Sequence, residues 1–448
     1  MKIAEINIVP HGSTGRIMLQ LADAARRSNH IVETFSPTLF SKRKLLKRKS
    51  NSYPEGHKEF GFSLENAIHR SLGTLMGKDG VFSIFSTRHL IRRLDNFNPD
   101  IIHLHNLHGF SINLKLLFQY INKKNIKIVW TLHDCWSFTG HCPHFTMVKC
   151  ERWKTECYKC PQPKVYPKMY LDSSNAMFKL KKKYFCSVHD MIIVTPSEWL
   201  GNLVEQSFMN KYPLKVINNG IDLDIFKPSV SDFRNRLEIK AKYIILGVSM
   251  AWGKRKGLDV MIELASRLDS RYQVVLVGTT ESIDKEIPSN IITIHRTNSQ
   301  AQLAEIYSAA DVFANPTREE NFPTVNIESL ACGTPVITFN TGGSPEILDD
   351  TCGSVVECDD IDTFEQNIIN TCLNRPYSRE NCVRRASMFG KNDKFREYVQ
   401  LYDNILNLPR GEYRYNLNIS AFIMMLISLS IICSLLYTNN RRFTEVQV

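Results

Sequence analysis

Two doubly wound α/β domains in tandem are what this 448-residue sequence predicts. Three observations carry that reading. Apolar runs of strand length alternate with amphipathic stretches of helix length, the mark of a parallel sheet wrapped by helices. The alternation restarts midway along the chain. At the restart lies a segment rich in Asn, Asp, Gly and Pro, residues 216–232.

The elements follow in order. KIAEINIV (2–9) reads as a strand and residues 14–28 as a helix; IIHLHN (101–106), IKIVWTLH (126–133) and MIIVTPS (191–197) are further strands, the last followed by a helix from about Glu198. The second series opens with YIILGVS (243–249) and a helix near 258–268. It continues through QVVLVG, NIITIH, a helix over 300–310, DVFANP, a helix from Thr324, and PVITFN. Residues 1–212 form the first predicted domain and 213–385 the second, with 386–410 as a helix packing back toward the first. Residues 135–167 interrupt the pattern as a Cys-rich insertion. Open α/β sheets bind ligands beyond the carboxyl ends of their strands, so two such sheets facing each other enclose a cleft.

Hydrophobic content of 43% with 23% charged residues is ordinary globular composition. The net charge of +11 points to an anionic partner: nucleic acid, acidic membrane or a phosphorylated ligand. Residues 40–80 are polar and poorly periodic and include KRKLLKRK (42–49), read either as a solvated loop or as a contact with an anionic membrane or phosphorylated acceptor. No secretory signal opens the chain, so the twelve cysteines are expected reduced rather than paired. ISAFIMMLISLSIICSLLY (419–437) is 19 residues without a charge, with Arg414 before it and Arg441 and Arg442 after. That length suits a hydrophobic C-terminal helix spanning a bilayer; the alternative is a buried helix.

The stretch TREENFPTVNIESLACGTPVIT (317–338) concentrates the chemistry. Glu320 falls in a loop beyond a strand, Pro323 suits a helix start, Glu328 lies a turn inside that helix, and Gly333 ends it. Carboxylates accept hydrogen bonds from hydroxyls, and the amides around Phe322, Pro323 and Thr324 could bind a phosphate. Two glutamates alone would more simply be a loop acid and a structural helix acid. KRKGLD (254–259) offers Arg255 and Lys256 after the first strand of the second domain. PHGSTGRI (10–17) places Gly12 and Gly15 where a helix opens, with Thr14 as a candidate cap. It lacks the G-x-G-x-x-G fingerprint, which argues against a dehydrogenase. WTLHDCW (130–136) puts His133 at a strand end, and HLHNLHG (103–109) supplies His103, His105 and His108, of which His105 with Asn106 could line an acceptor side. Asp222-Leu-Asp224 reads as turn chemistry, with no catalytic metal expected. In the insertion, Cys142, Cys150, Cys157 and Cys160 are spaced C-x7-C-x6-C-x2-C. Four thiolates suit a structural zinc, and buried free thiols are the alternative. No basic recognition helix accompanies them, so nucleic acid is not an expected partner.

Taken together, Glu-x7-Glu followed by SLACGTPVI, NNGIDLDIF (218–226), KRKGLD (254–259) and TGGSPEIL (341–348) resemble the retaining GT-B enzymes of glycosyltransferase family 4. HDCWSFTGHC (133–142) narrows the resemblance to the branch making colanic acid and other exopolysaccharides. The resemblance implies a nucleotide-diphosphate sugar donor held mainly by the second domain. By it, Glu320 meets donor-sugar hydroxyls, Glu328 the ribose, and the backbone after Glu320 the diphosphate. Lys256 would neutralise the leaving diphosphate, the Gly12–Gly15 loop would face it across the cleft, and His133 would stand beside the reacting sugar. His133, Glu320 and Lys256 are thus the implied catalytic residues. The family arginine five residues before Lys256 is Ala251 here, with Arg255 the candidate substitute. The implied activity is transfer of a hexose to a saccharide, in all expectation lipid-linked, at the cytoplasmic face of the membrane and without a catalytic cofactor. A GT-B nucleotide-sugar epimerase and a non-catalytic sugar-binding protein are the alternatives.

Overall fold

The computed structural model describes residues 1–38 and 54–407. It contains two all-parallel sheets. The first joins seven strands: β1 (Lys2–Ile6), β2 (Ile31–Pro37), β3 (His57–Phe60), β4 (Ile101–Leu104), β5 (Lys127–Thr131), β6 (Met191–Thr195) and β7 (Leu214–Val216), in the order β3-β2-β1-β4-β5-β6-β7. The second joins six: β8 (Tyr243–Val248), β9 (Tyr272–Val277), β10 (Ile291–Ile294), β11 (Val312–Asn315), β12 (Val336–Phe339) and β13 (Gly353–Val356), in the order β10-β9-β8-β11-β12-β13. Most strands are short, Val/Ile/Leu-rich and buried along their whole length, as expected for parallel sheets covered on both faces. In both sheets the strand order reverses once, between β1 and β4 and between β8 and β11. The loops after those pairs are where an open sheet holds its ligand.

Helix Gly12–Arg27 shows why the packing is unambiguous. Ile17, Met18, Leu21, Ala22 and Ala25 make one buried stripe, and Arg26 and Arg27 close its last turn, favourable for the helix dipole. It begins two residues before the expected start, so Thr14 lies inside the first turn; its hydroxyl accepts from Asn7 Nδ2 at 3.2 Å instead of capping the helix.

Several expectations change. β2, β3, β7 and β13 had not been assigned, and residues 57–76 are not a loop: they contain β3 and the helix Ser63–Met76. β3 escapes the alternation rule because HKEF is an edge strand of charged residues. β7 pairs with β6, so the first sheet runs to Val216, past the boundary drawn at residue 212. The DLD segment is a turn, with Asp222 Oδ1 accepting from the Asp224 amide at 3.1 Å and its other oxygen paired to Lys391. The helix Lys391–Asn407 carries Tyr398, whose hydroxyl accepts from Thr131 Oγ1 at the end of β5, 3.1 Å away. The basic run 42–49 and the apolar run 419–437 lie outside the described residues. Among the described residues no helix is long and apolar enough to cross a membrane.

The turn Lys254–Lys256 after β8 ends at Gly257, whose φ is +71°. A Cβ there would stand 2.2 Å from the carbonyl oxygen of Pro316, just beyond β11. This contact ties the two central loops of the second sheet. Gly257→Ala should therefore lower stability by about 1–3 kcal/mol. Gly253→Ala, at an extended position with open space around it, should stay within about 0.5 kcal/mol of the parent. Urea midpoints of the two variants check this; equal midpoints would remove the constraint.

Candidate functional site

The loop after β11 is the centre of the site. Arg318 fixes its base by pairing with Asp259 at 2.8 Å and Asp359 at 2.7 Å, while its amide donates to the Arg255 carbonyl at 2.9 Å. Arg255 returns a bond from Nη1 to the Glu319 carbonyl at 3.1 Å. The next three side chains point to different partners. Glu319 accepts from the Met147 amide at 2.8 Å and the Thr146 hydroxyl at 3.1 Å, both in the Cys-rich insertion. Glu320 is ion-paired with Lys256. Asn321 donates to the His133 carbonyl at 3.1 Å and accepts from Ser197 Oγ at 2.7 Å, both in the first domain.

Behind them the TGG loop holds the backbone. Gly343 donates to the Asn321 carbonyl at 2.9 Å, and Gly342, with φ +57°, passes so close to Glu320 that a Cβ would lie 1.6 Å from its carbonyl oxygen. Burial opposes ionisation of Glu320, but Lys256, His144 and the Asn321 amide outweigh it and hold the carboxyl below its usual range.

Helix Thr324–Ala331 begins directly after, with Pro323 as its N-cap. Pro323 has no amide and the Phe322 side chain is buried edge-to-face against Phe389, so neither side chain can hold a ligand; backbone groups at this helix start are what the segment offers. Glu328 is half-buried and accepts from the Tyr307 hydroxyl at 3.2 Å. Burial pushes its carboxyl up to about 7, against the pull of Tyr307, Arg16 and Thr324. Arg16 follows Gly15 in the first domain, and its charge acts on Glu328 without a direct bond. Gly12 opens its helix and Gly15 backs onto the Pro10 backbone, 2.5 Å from where a Cβ would sit.

His133 follows β5. Its Nε2 lies 3.1 Å from His105 Nδ1, and His105 Nε2 is 3.5 Å from Glu5 Oε2. Burial pushes Glu5 up, His105 down and His133 down to about 4. His105 was expected to line the acceptor side; it is 1% exposed, because its place near the end of β4 turns it inward, and it reaches the cleft only through His133. Asn106 is half-buried, its amide donating to Asn7 Oδ1 at 3.2 Å. His108 bridges Asp134 at 3.0 Å and Tyr166 at 2.9 Å; burial opposes it, yet His108 holds the Asp134 carboxyl down at about 2.

Cys142, Cys150, Cys157 and Cys160 line one cavity of about 20 Å³ in the insertion, apart from the acids, and all four are free thiols. Among the described residues, the group of three metal-capable side chains gathered within 4.8 Å is instead Glu5, His103 and His105. Burial pushes the Cys142 thiol up to about 12 and Cys157 to about 11.

Lys256 with Glu320 and His133 with His105 are thus brought together. Glu5, Arg16, Ser197, Glu319 and Asn321 were not anticipated. Glu319 and Asn321 had a signal, their place in the loop on either side of Glu320, and Arg16 lay in the quoted glycine stretch; Glu5 and Ser197 had none.

Comparison with known proteins fits this arrangement. The Glycosyltransferase Family 4 model matches residues 14–225 and the Glycosyl transferases group 1 model residues 229–388. The chain is 24% identical over 327 residues to the colanic acid biosynthesis glycosyl transferase WcaC of Escherichia coli (strain K12), covering 68% of this chain and 77% of that protein. It is 21% identical over 357 residues to a D-inositol 3-phosphate glycosyltransferase of Corynebacterium urealyticum, covering 74% and 80%. Among solved structures, sucrose-phosphate synthase from Thermosynechococcus elongatus superposes with a TM-score of 0.66 at 17% identity, covering 91% of this chain and 99% of that one. Anabaena HepE in complex with UDP-glucose superposes with a TM-score of 0.62 at 15% identity, covering 91% and 100%. At these identities the structures show a shared fold.

The Glu328 carboxyl gives a test of the geometry. Its folded value lies above that of an unfolded glutamate, so its contribution to stability is full at low pH, falls as the pH rises through about 7, and is flat beyond. The stability difference between the parent and Glu328→Gln should shift against the parent between about pH 4.5 and pH 7. Urea unfolding of both at several pH values reads it; a pH-independent difference would show that Glu328 is not held in a desolvated place.

Proposed function

Because the chain is a GT-B glycosyltransferase built from a family 4 module and a group 1 module, we propose that it transfers a hexose with retention from a nucleotide-diphosphate sugar to a lipid-linked saccharide during cell-surface polysaccharide synthesis. The observation that carries this reading is the Glu319–Glu320–Asn321 loop, which sets an ionised acid against Lys256 and binds the first domain at His133 in consecutive residues. WcaC is named for colanic acid biosynthesis, and HepE was solved with UDP-glucose; both support the class of donor and pathway proposed.

In this proposal Glu320 accepts hydrogen bonds from donor-sugar hydroxyls, and Glu328, once ionised, from the ribose. The diphosphate meets Lys256, the amides opening helix Thr324–Ala331, and the glycine loop with Arg16 behind it. As the glycosidic bond breaks, charge builds on the departing diphosphate, and cations already in place stabilise it without reorganisation. Arg255 braces the loop rather than standing free, which makes it a positioning residue. His133, kept neutral, orients a hydroxyl or shapes the reacting-sugar wall and does not act as a cation. The uncharged run 419–437 and basic run 42–49 support a membrane-held enzyme working at the cytoplasmic face.

The test is nucleotide release and sugar transfer from a panel of nucleotide sugars, with and without membrane lipid extract. We expect lipid-dependent transfer from one donor, the product anomer matching the donor. Lys256→Met and Glu320→Ala should each lower kcat by about 100- to 1000-fold. An epimerised sugar, donor binding without turnover, or full activity in Glu320→Ala would overturn the reading.

A further inference from the structure

We infer that the insertion between β5 and the helix Ser174–Phe185 is a zinc-binding module, with Cys142, Cys150, Cys157 and Cys160 as its ligands and a structural rather than catalytic part to play. The insertion has almost no framework of its own. Its regular structure is limited to two turns of three residues, Trp136–Phe138 and Arg152–Lys154. Its near end is anchored by Lys181, whose buried ammonium donates to the carbonyls of Trp136 at 2.7 Å and Thr139 at 3.0 Å. The far end is held by scattered polar contacts, among them the Cys160 amide donating to Asp172 Oδ2 at 2.8 Å and Asn175 Nδ2 donating to the Cys157 carbonyl at 3.1 Å, and there the four sulfurs line a single cavity together with Phe145 and Trp153. At about 20 Å³ that cavity holds one particle of the size of a water or a bare ion.

One backbone amide is aimed at the sulfurs: Gly140 donates to Cys157 Sγ at 3.2 Å. Four cysteine sulfurs around one small apolar space are a donor set that suits zinc. Zinc takes four sulfur ligands tetrahedrally at about 2.3 Å, so the sulfurs, no three of which stand within 4.8 Å of one another here, would draw together around the ion. Glycine is needed at position 140 for a related reason: a Cβ there would stand 2.7 Å from Cys157 Cβ and 2.2 Å from the Ser174 carbonyl oxygen, beside the ligand shell.

The consequence reaches the cleft. Thr146 and Met147, between the first two ligands, are the groups that hold Glu319. A metal closing the insertion therefore fixes the distal support of the loop that carries Glu320, without touching a substrate.

The experiment uses the full-length protein purified without added metal. Metal analysis should find one zinc per chain that survives dialysis against a weak chelator, and exchange with cobalt should give thiolate-to-cobalt charge-transfer absorption. Cys157→Ser and Cys160→Ser should lower metal content about tenfold or more and expose the 142–160 segment to protease, while Cys358→Ser, at an exposed position elsewhere, leaves both unchanged. Parent protein that contains no zinc with all four thiols titratable, or the same cysteines paired as disulfides, or an iron centre in their place, would each overturn the assignment. Because metal content is read on the parent, the outcome stands even if a variant fails to fold, and it is independent of whether glycosyl transfer is found.

Discussion

Three consecutive side chains hold this molecule's working surface in place. Glu319 is tied to the insertion, Glu320 to Lys256, and Asn321 to the His133 carbonyl and Ser197 hydroxyl. Each bond joins the loop after β11 to a different neighbour, so the loop cannot move without breaking several at once. A buried amide that loses its partners leaves them unpaired, at a cost of about 1–3 kcal/mol per group. Asn321 satisfies a carbonyl and a hydroxyl of the first domain while Gly343 satisfies its own carbonyl. Glu346 adds a second tie between the same halves, its carboxylate accepting from the amides of Glu198 and Trp199 at 2.8 and 2.7 Å and so capping a first-domain helix from outside.

Charge is distributed unevenly around this loop. The histidines near the end of β4 and β5 and Glu5 behind them are buried, and the same desolvation pushes the histidines down and the carboxyl up. That stack, with ring centroids 4.2 Å apart for His103 and His105 and 5.4 Å for His105 and His133, is a rigid wall rather than a source of positive charge. The cationic side chains come instead from Lys256 in the second domain and Arg16 in the first.

The sheets and their central loops were legible because their signals are local. Buried parallel strands are unbroken apolar runs, and the helix after Pro323 is bounded by residues whose backbone preferences are strong. Edge strands were not: HKEF has no apolar run to detect, and the three residues of β7 look like the linker they adjoin. At the site, Glu320, Glu328 and Lys256 were singled out by the family resemblance, since their spacing alone fits a loop acid, a helix acid and a solvated turn equally well. Asn321 and Ser197 were not, because their importance is that they meet across 124 positions of sequence, and no periodicity records such a contact. His105 lies one residue past β4 and is buried, its ring stacked on His103 and His133, a packing that its sequence neighbours do not record.

The Lys256–Glu320 pair also bears on how the proposed reaction could proceed. With no donor bound, the two groups neutralise each other, and neither charge is left desolvated and alone. In the proposed reaction a diphosphate arriving at the start of helix Thr324–Ala331 would compete with Glu320 for the same ammonium. Lys256 would then exchange one anion for another, and Glu320 would be released to accept hydrogen bonds from sugar hydroxyls. The acid is held ready by the amide of Asn321, which donates to its other oxygen at 3.1 Å. On this argument the pair is a resting arrangement that keeps the cation in position, and the same loop that fixes Glu320 makes the exchange a change of partner rather than a change of fold.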